Sequence, residues 1–342
     1  MDKEQYQFSS KTVECYFDAE FSYLEKLVSK EKVVIITDNN IASIYAEKLK
    51  GWKVIAVPAG EQNKQQSTVD KVILELIKLQ GDRQTFIIGI GGGVVTDIAG
   101  YVASVYMRGV KFAFVPTSIL AMVDAAVGGK NGVDVGIYKN LVGVIRHPEF
   151  LLYDYSFLKT LPHEEWINGF AEIIKHACIK DEKLFELLEN NSLETFQQSL
   201  EKIAALIKRN VELKYNVVVN DEFETGERKL LNFGHTLGHA VENIYQLPHG
   251  SAVSIGMVAA CKISEDLNNF PDTESVRVNN LLKKYHLPVD LQFDKEKVWD
   301  VLLMDKKKSG DTMNFILLKK IGSGVVKSIP LTKLKNIFNH LL

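Results

Sequence analysis

The 342-residue chain has only three cysteines, Cys15, Cys178 and Cys261. They are odd in number and far apart, which excludes a disulfide framework and a CxxC site. Thiols used this way suit a reducing cytoplasm. Net charge is also scarce: 41 Lys and Arg against 43 Asp and Glu leave −2. Without a basic field, nothing argues for a nucleic-acid partner, and Lys306–Lys308 reads as a solvated basic run. The N-terminal MDKEQYQFSS is polar, with no signal-peptide core. No apolar run approaches the ~20 residues that cross a bilayer, so a cytoplasmic protein without a membrane partner is expected. Internal repeats and low-complexity tracts are absent from the pattern too.

What is present is an ordinary globular composition, 46% hydrophobic and 25% charged, in a chain long enough for two domains. The first half alternates strand and helix signals. Strands are expected at Lys32–Thr37, Lys53–Val57, Thr85–Ile90 and Lys111–Val115, and helices over Gln66–Leu79 and Val94–Ser104. That alternation predicts a parallel sheet covered by helices, with ligand-binding loops at the carboxyl ends of the strands. Beyond about residue 160 the periodicity turns helical, over 163–180, 182–190, 194–219, 234–245, 251–269 and 274–285, with a small hairpin near 313–328. Leu161-Pro162 reads as the hinge. The expected fold is an α/β domain with a parallel sheet over 1–161 followed by an all-α domain, that hairpin apart, over 162–342.

Three segments carry chemistry. The strand Thr85–Ile90 runs into Gly91-Gly92-Gly93 and a helix, which is phosphate-binding logic: glycines admit an anion to the backbone, and a helix N-terminus offers unpaired N–H groups. GGGVVTD has neither GxGxxG spacing nor a GK[ST], so it also reads as a tight βα turn. Asp97 beside it would be electrostatically costly unless it binds hydroxyls. The stretch 116–143 reads as a lysine-bearing loop holding Asp124, Gly128-Gly129, Lys130, Lys139 and Asn140, where a flexible glycine pair beside lysines suits a phosphate or sugar acid. Third, LNFGHTLGHAVE with the following PHG packs His235, His239 and His249 into fifteen of the chain's residues. His235 and His239 share one helix face, and Glu172, on an upstream amphipathic helix, supplies a carboxylate. Two histidines, one carboxylate and an open position describe a catalytic zinc-like site; the spacing leaves open which two histidines. Lys175, Lys214, Arg228 and Asn232 crowd the same segments and predict an anionic substrate bearing carboxylate and phosphate.

Taken in order, GGGVVTDIAG, YMRG, PTS, VDAAVGGK, YKNLVG, LKTLP, GFAEIIKH, NDEFETGER, LNFGHTLGHAVE, HGSAVSIGM and DKKKSG resemble the 3-dehydroquinate synthase family over nearly the whole chain. The resemblance implies an NAD-binding Rossmann-like domain, an α-helical metal domain, and a homodimer. Its metal ligands would be Glu172, His235 and His249, holding zinc or cobalt, with His239 beside the substrate. Asp124, Lys130, Asn140, Lys175, Lys214, Glu224, Arg228 and Asn232 match substrate-contacting and catalytic positions. Lys307 is favoured over Lys306 as a further substrate lysine, and Arg108 in YMRG matches a phosphate-binding arginine given to a neighbouring subunit. The NAD contacts implied are Asp38, Asn40, Glu61, Gln62, Asn63, Lys64, Gly92, Gly93, Val94, Val95, Thr96, Asp97, Thr117, Ser118, Lys130, Lys139, Phe157, Leu158, Lys159 and Thr160.

The activity implied is conversion of 3-deoxy-D-arabino-heptulosonate 7-phosphate to 3-dehydroquinate and phosphate. It proceeds by transient oxidation, elimination, reduction, ring opening and aldol closure, so NAD is used catalytically. Thr96, Ser118, Met122, Asn131 and Asp134 depart from the family's common residues. Other sugar-phosphate cyclases, a metal-dependent polyol dehydrogenase and a non-catalytic NAD-binding protein are the alternatives. The retained Lys130, Asn140, Lys214, Arg228 and Asn232 favour a carboxylate-bearing substrate.

Overall fold

The computed structural model describes residues 1–136, 138–290, 292–303 and 308–340. Contacts divide the chain into two compact units, one of Met1–Pro162 with Ala204–Glu222, the other of His163–Ile203 with Phe223–Leu342.

In the first unit the strands are β1 Asp2–Gln7, β2 Thr12–Phe17, β3 Val33–Asp38, β4 Lys53–Val57, β5 Phe86–Gly91, β6 Lys111–Pro116, β7 Lys130–Val135, β8 Tyr138–Ile145 and β9 Phe150–Tyr153. Seven form one sheet in the order β1-β2-β9-β6-β5-β3-β4. All neighbours are parallel except β1 and β2, which pair antiparallel at the edge. A parallel strand is covered on both faces and so reads as a continuous apolar run; Val33–Ile36 of β3 are all buried. Because β3 pairs with β4 on one side and β5 on the other, the chain reverses its travel across the sheet there. Ligands of such sheets bind outside the carboxyl ends of the strands at this switch point. The chain puts Asp38 at the end of β3 and Gly91-Gly92-Gly93 at the end of β5, leading into the Gly93–Val105 helix.

The described residues of the stretch expected to be a loop include regular structure. After a π-helical turn at Ala121–Ala125, β7 and β8 form a hairpin. Its base is tied by Asn131, whose buried amide donates to the carbonyls of Gly129 at 2.8 Å and Arg146 at 2.9 Å. The expected pattern missed this because the hairpin lies outside the main sheet and its strands are interrupted by glycine and charged residues. It also missed β1, β2 and β9.

The second unit contains helices His163–Lys180, Glu182–Glu189, His235–Tyr245, His249–Asn268, Asp272–Lys284 and Lys295–Leu303, ending with Leu331–His340. The helix expected over 194–219 breaks into Leu193–Gln197 and Leu200–Asn220, the first capped by Ser192. The unit is not wholly helical: β10 Lys308–Ser309, β11 Thr312–Lys320 and β12 Ser323–Pro330 form a three-stranded antiparallel sheet. The apolar faces of β11 and β12 (Met313, Phe315, Leu317, Ile329) join Leu237, Val241, Ala252, Ile263, Trp299 and Phe338 in one core.

The His235–Tyr245 and His249–Asn268 helices lie against each other through glycine. A Cβ on Gly256 would sit 1.8 Å from the Gly234 carbonyl oxygen, and one on Gly238 would sit 3.0 Å from that of Ala252. Gly234 itself has φ +79° just before His235, a conformation that favours glycine. The approach therefore aligns two histidine-bearing helix starts. Gly256→Ala must push these backbones apart, and we predict a loss of at least about 2 kcal/mol of stability, measured by urea unfolding of the metal-free protein. An unchanged midpoint would show that the helices absorb the methyl.

Candidate functional site

In the second unit, three helices deliver side chains to one point. Glu172 comes from the middle of the His163–Lys180 helix and is fully buried. His235 and His249 are the first residues of their helices. His249 Nε2 lies 3.1 Å from Glu172 Oε1 and His235 Nε2 lies 3.5 Å from the same oxygen. One ligand atom from each residue falls within 4.8 Å of the others. Each imidazole is held from behind through Nδ1. His235 Nδ1 is 3.1 Å from the Phe233 carbonyl oxygen, and His249 Nδ1 is 3.4 Å from Glu242 Oε2. Both partners accept, so Nδ1 of each ring carries a proton and Nε2 is the nitrogen that faces Glu172. Two nitrogen donors and one carboxylate oxygen, oriented this way, fit a zinc-like divalent cation.

Without an ion the two imidazoles differ in charge. Burial, with Lys175 nearby, pushes the His235 pKa down to about 3. Burial works against a charge on His249 too, but hydrogen bonds to Glu172 and Glu242 outweigh it and hold its pKa up at about 10. Lys175, one turn from Glu172 and itself buried, forms an ion pair with it. His239 stands edge-on to His235, ring centroids 5.2 Å apart, and is not a member of the converging trio. Arg228 is almost fully buried on the short Glu227–Asn232 helix. On the same helix, Asn232 donates its amide to Glu224 Oε1 at 2.5 Å. Lys307 lies outside the described residues.

Two residues here escaped the sequence reading. Asn168, one turn before Glu172, accepts from the Gly250 N–H at 2.5 Å and so caps the helix that His249 begins. Glu242 follows His235 by seven residues and shares its helix face. Only the i, i+7 spacing could have drawn attention to it.

In the first unit the expected NAD contacts cluster along the carboxyl edge of the sheet. Asp38, Glu61 to Lys64, Gly92 to Asp97, Thr117-Ser118 and Phe157 to Thr160 follow β3, β4, β5, β6 and β9 respectively. Asp38 caps the next helix, accepting from the Asn40 and Ile41 N–H groups at 2.8 and 3.0 Å. Phe157 and Leu158 are buried, and Phe157 belongs to the core of the unit, so that segment presents its polar residues instead. Thr96 turns its hydroxyl to the Gly93 carbonyl at 3.0 Å, and Ser118 accepts from the Ala121 N–H at 3.3 Å.

Asp97, beside the glycine turn, has a partner the sequence reading did not assign: it is ion-paired with buried Lys64. Burial pushes Asp97 up to about 6, with Lys64 pulling against it. Burial also opposes the Lys64 charge, but Asp97, Glu61 and Asp134 hold its pKa above the usual lysine value. Lys64 also ties down the hairpin. Its Nζ donates to Asn140 Oδ1 at 2.5 Å and its carbonyl accepts from the Asp134 N–H at 2.8 Å. Asp134 in turn accepts from the Asn140 N–H at 2.6 Å, supporting φ +52° at that residue. Lys139 pairs with Glu61 at 3.1 Å, while Lys130 is exposed. Lys214 donates to both Asp124 Oδ1 and the Asp124 carbonyl at 2.7 Å, fixing that pair of expected substrate contacts. Arg108 is exposed on a turn where Met107, Arg108 and Gly109 all have positive φ.

The chain is similar to known proteins along most of its length. Residues 54–168 match the sequence profile described as 3-dehydroquinate synthase N-terminal, and residues 169–308 the one described as 3-dehydroquinate synthase C-terminal. A 3-dehydroquinate synthase of Streptococcus pneumoniae (strain JJA) is 39% identical over 328 residues, covering 92% of each chain. Among solved structures, a 2-deoxy-scyllo-inosose synthase complexed with carbaglucose-6-phosphate, NAD+ and Co2+ superimposes with a TM-score of 0.87 at 25% identity, covering 100% of both chains. The 2-epi-5-epi-valiolone synthase ValA of Streptomyces hygroscopicus subsp. jinggangensis 5008, with NAD+ and Zn2+ bound, gives 0.86 at 25% identity, covering 99% of this chain and 97% of that one. Two iron-containing alcohol dehydrogenases share the fold at 14% and 15% identity and lower TM-scores, 0.66 for the Thermotoga maritima protein. With both halves matched by its profiles, and with a relative at 39% identity over 92% of the chain, the protein belongs to the 3-dehydroquinate synthase family.

Proposed function

We propose that this protein converts 3-deoxy-D-arabino-heptulosonate 7-phosphate to 3-dehydroquinate and inorganic phosphate, the second step of the shikimate pathway. The observation that carries the proposal is the convergence of His235 and His249 Nε2 on Glu172 Oε1, in a chain whose family is established. The first unit supplies the NAD-binding domain, 1–161, and the second the metal- and substrate-binding domain, 162–342; Ala204–Glu222 packs with the first. Glu172, His235 and His249 would hold a zinc or cobalt ion, whose Lewis acidity polarises neighbouring hydroxyls of the sugar. NAD, along the carboxyl edge of the sheet, would supply reversible two-electron redox chemistry with no net consumption.

The chain's own groups then have defined tasks. Lys130, Lys175, Lys214 and Arg228 neutralise the carboxylate and phosphate of the substrate, and Arg108 would reach the phosphate held by a neighbouring subunit. Asp124 holds Lys214 in place, so that its ammonium has one orientation rather than a swarm of rotamers. Asn232, fixed by Glu224, offers polar contacts without charge. His239, beside His235, is the remaining candidate for moving a proton at the substrate. A homodimer would cover the exposed Leu141, Val142 and Ile145 of β8 together with Val105 and Met107. No described helix is long and apolar enough to cross a membrane, and we place the enzyme in the cytoplasm.

The proposal is tested by following phosphate release from this substrate with catalytic NAD+ and Zn2+, recording 340 nm absorbance in parallel. Phosphate should appear with no lasting absorbance, stop on chelation, and be absent in His235→Ala. Turnover of a different sugar phosphate alone would shift the reading to another cyclase of this group, and lasting absorbance with a polyol would make the protein a dehydrogenase.

A second prediction follows from the imidazoles. His235 is neutral above about 3, whereas His249 is protonated below about 10. An incoming ion must displace the His249 proton. Zn2+ uptake between about pH 6 and 9 should therefore release roughly one proton per ion, and affinity should rise about tenfold per pH unit. Calorimetry in buffers of different ionisation enthalpy measures this. Uptake with no proton release would mean that His249 is already neutral.

A further inference from the structure

We infer that Glu242 is a positioning residue of the metal centre, acting through Nδ1 of His249 to fix that imidazole's tautomer and aim. The inference rests on the reading of Glu172, His235 and His249 as a metal site. Glu242 is 5% exposed, and its Oε2 lies 3.4 Å from His249 Nδ1, on the side of the ring opposite Glu172. A carboxylate can only accept there, so Nδ1 keeps its proton and Nε2, beside Glu172, is the nitrogen that gives up its proton to an ion.

The placement follows from helix geometry. His235 and Glu242 are i and i+7 on one helix and share its face. The glycine contact between Gly234 and Gly256 holds the His249–Asn268 helix against that face. Residue 242 thus reaches from the helix that bears one ligand to the first residue of the helix that bears the other. The two ligands are backed unequally. His235 has the neutral Phe233 carbonyl behind it, whereas His249 has a charged carboxylate. Both histidines begin helices, where the backbone dipoles present positive potential that weakens an imidazole as a donor to a cation, but only His249 has a carboxylate behind it. The Glu242 charge opposes that potential. Outer partners of this kind raise the basicity of a ligating histidine.

The test is the Zn2+ affinity of the full chain, by competition with a chromophoric chelator, for wild type, Glu242→Gln, Glu242→Ala and His235→Ala. Glu242→Ala should bind Zn2+ at least about tenfold more weakly. Glu242→Gln, which keeps an acceptor oxygen but loses the charge, should recover part of that loss. The Co2+-loaded alanine variant should also show a shifted visible spectrum. If wild type binds no Zn2+, or His235→Ala binds it as tightly as wild type, the metal-centre reading itself fails. If those two behave as a metal centre requires and Glu242→Ala loses less than tenfold, only the role of Glu242 is overturned. Equal losses in the two Glu242 variants, with the metal-free unfolding midpoint lowered in parallel, would mark a purely structural residue and overturn it as well. Should the alanine variant not fold, Glu242→Gln alone decides: a loss of about threefold or more supports the role and a smaller one refutes it.

Discussion

A single carboxylate oxygen, Glu172 Oε1, buried without solvent access and faced by two imidazole nitrogens, is the constraint on which the second unit depends. A buried carboxylate is expensive unless positive charge or donors surround it. Here Lys175 and His249 meet that requirement in the metal-free protein. The same convergence makes the site ready for a divalent ion, because an arrangement that must gather cations around a carboxylate already has the charge balance a metal would supply. Everything nearby serves the aim of three side chains: Asn168 caps the helix of His249, the Phe233 carbonyl and Glu242 orient the rings, and glycine lets two helices approach to backbone contact.

The first unit meets a related problem at the glycine turn. Asp97 lies past the first turn of the helix that follows the glycines, and burial makes its charge costly there. Lys64 neutralises Asp97 from within the unit and at the same time binds Asn140 and the Asp134 backbone of the hairpin. One buried lysine thus couples the edge of the sheet to the hairpin that carries Lys130, Lys139 and Asn140. Asp134, one of the residues that departs from the family's common pattern, is part of this arrangement through its bond to the Asn140 N–H.

Much of the frame was legible in the sequence because its signals are local. β3, β5 and β6 are β-branched or aromatic apolar runs that parallel pairing buries on both faces, β4 at the edge still alternates, and the helices between them carry apolar residues at helical spacing. The long helices of the second unit showed for the same reason. β1 did not, because an edge strand with the sequence DKEQYQ buries little and alternates weakly. β9 is only four residues long, and the break before Leu200 rests on Ser199, whose hydroxyl accepts from the Lys202 N–H, rather than on any proline or glycine. At the site, residue types and crowding pointed to a metal, but spacing could not choose between His239 and His249. Four residues on one helix is the obvious pairing, whereas His249 is brought in by a turn at Gln246, with φ +54°, and a new helix start. The Lys64–Asp97 pair and the roles of Asn168 and Glu242 were not legible, because each joins segments whose meeting only tertiary packing decides.

The most direct test of this account is an anomalous difference map at the zinc edge from crystals of the protein equilibrated with Zn2+. It should show a peak within about 2.0–2.2 Å of Glu172 Oε1, His235 Nε2 and His249 Nε2. A peak ligated by His239 in place of His249, or strong peaks elsewhere with none at Glu172, would contradict it.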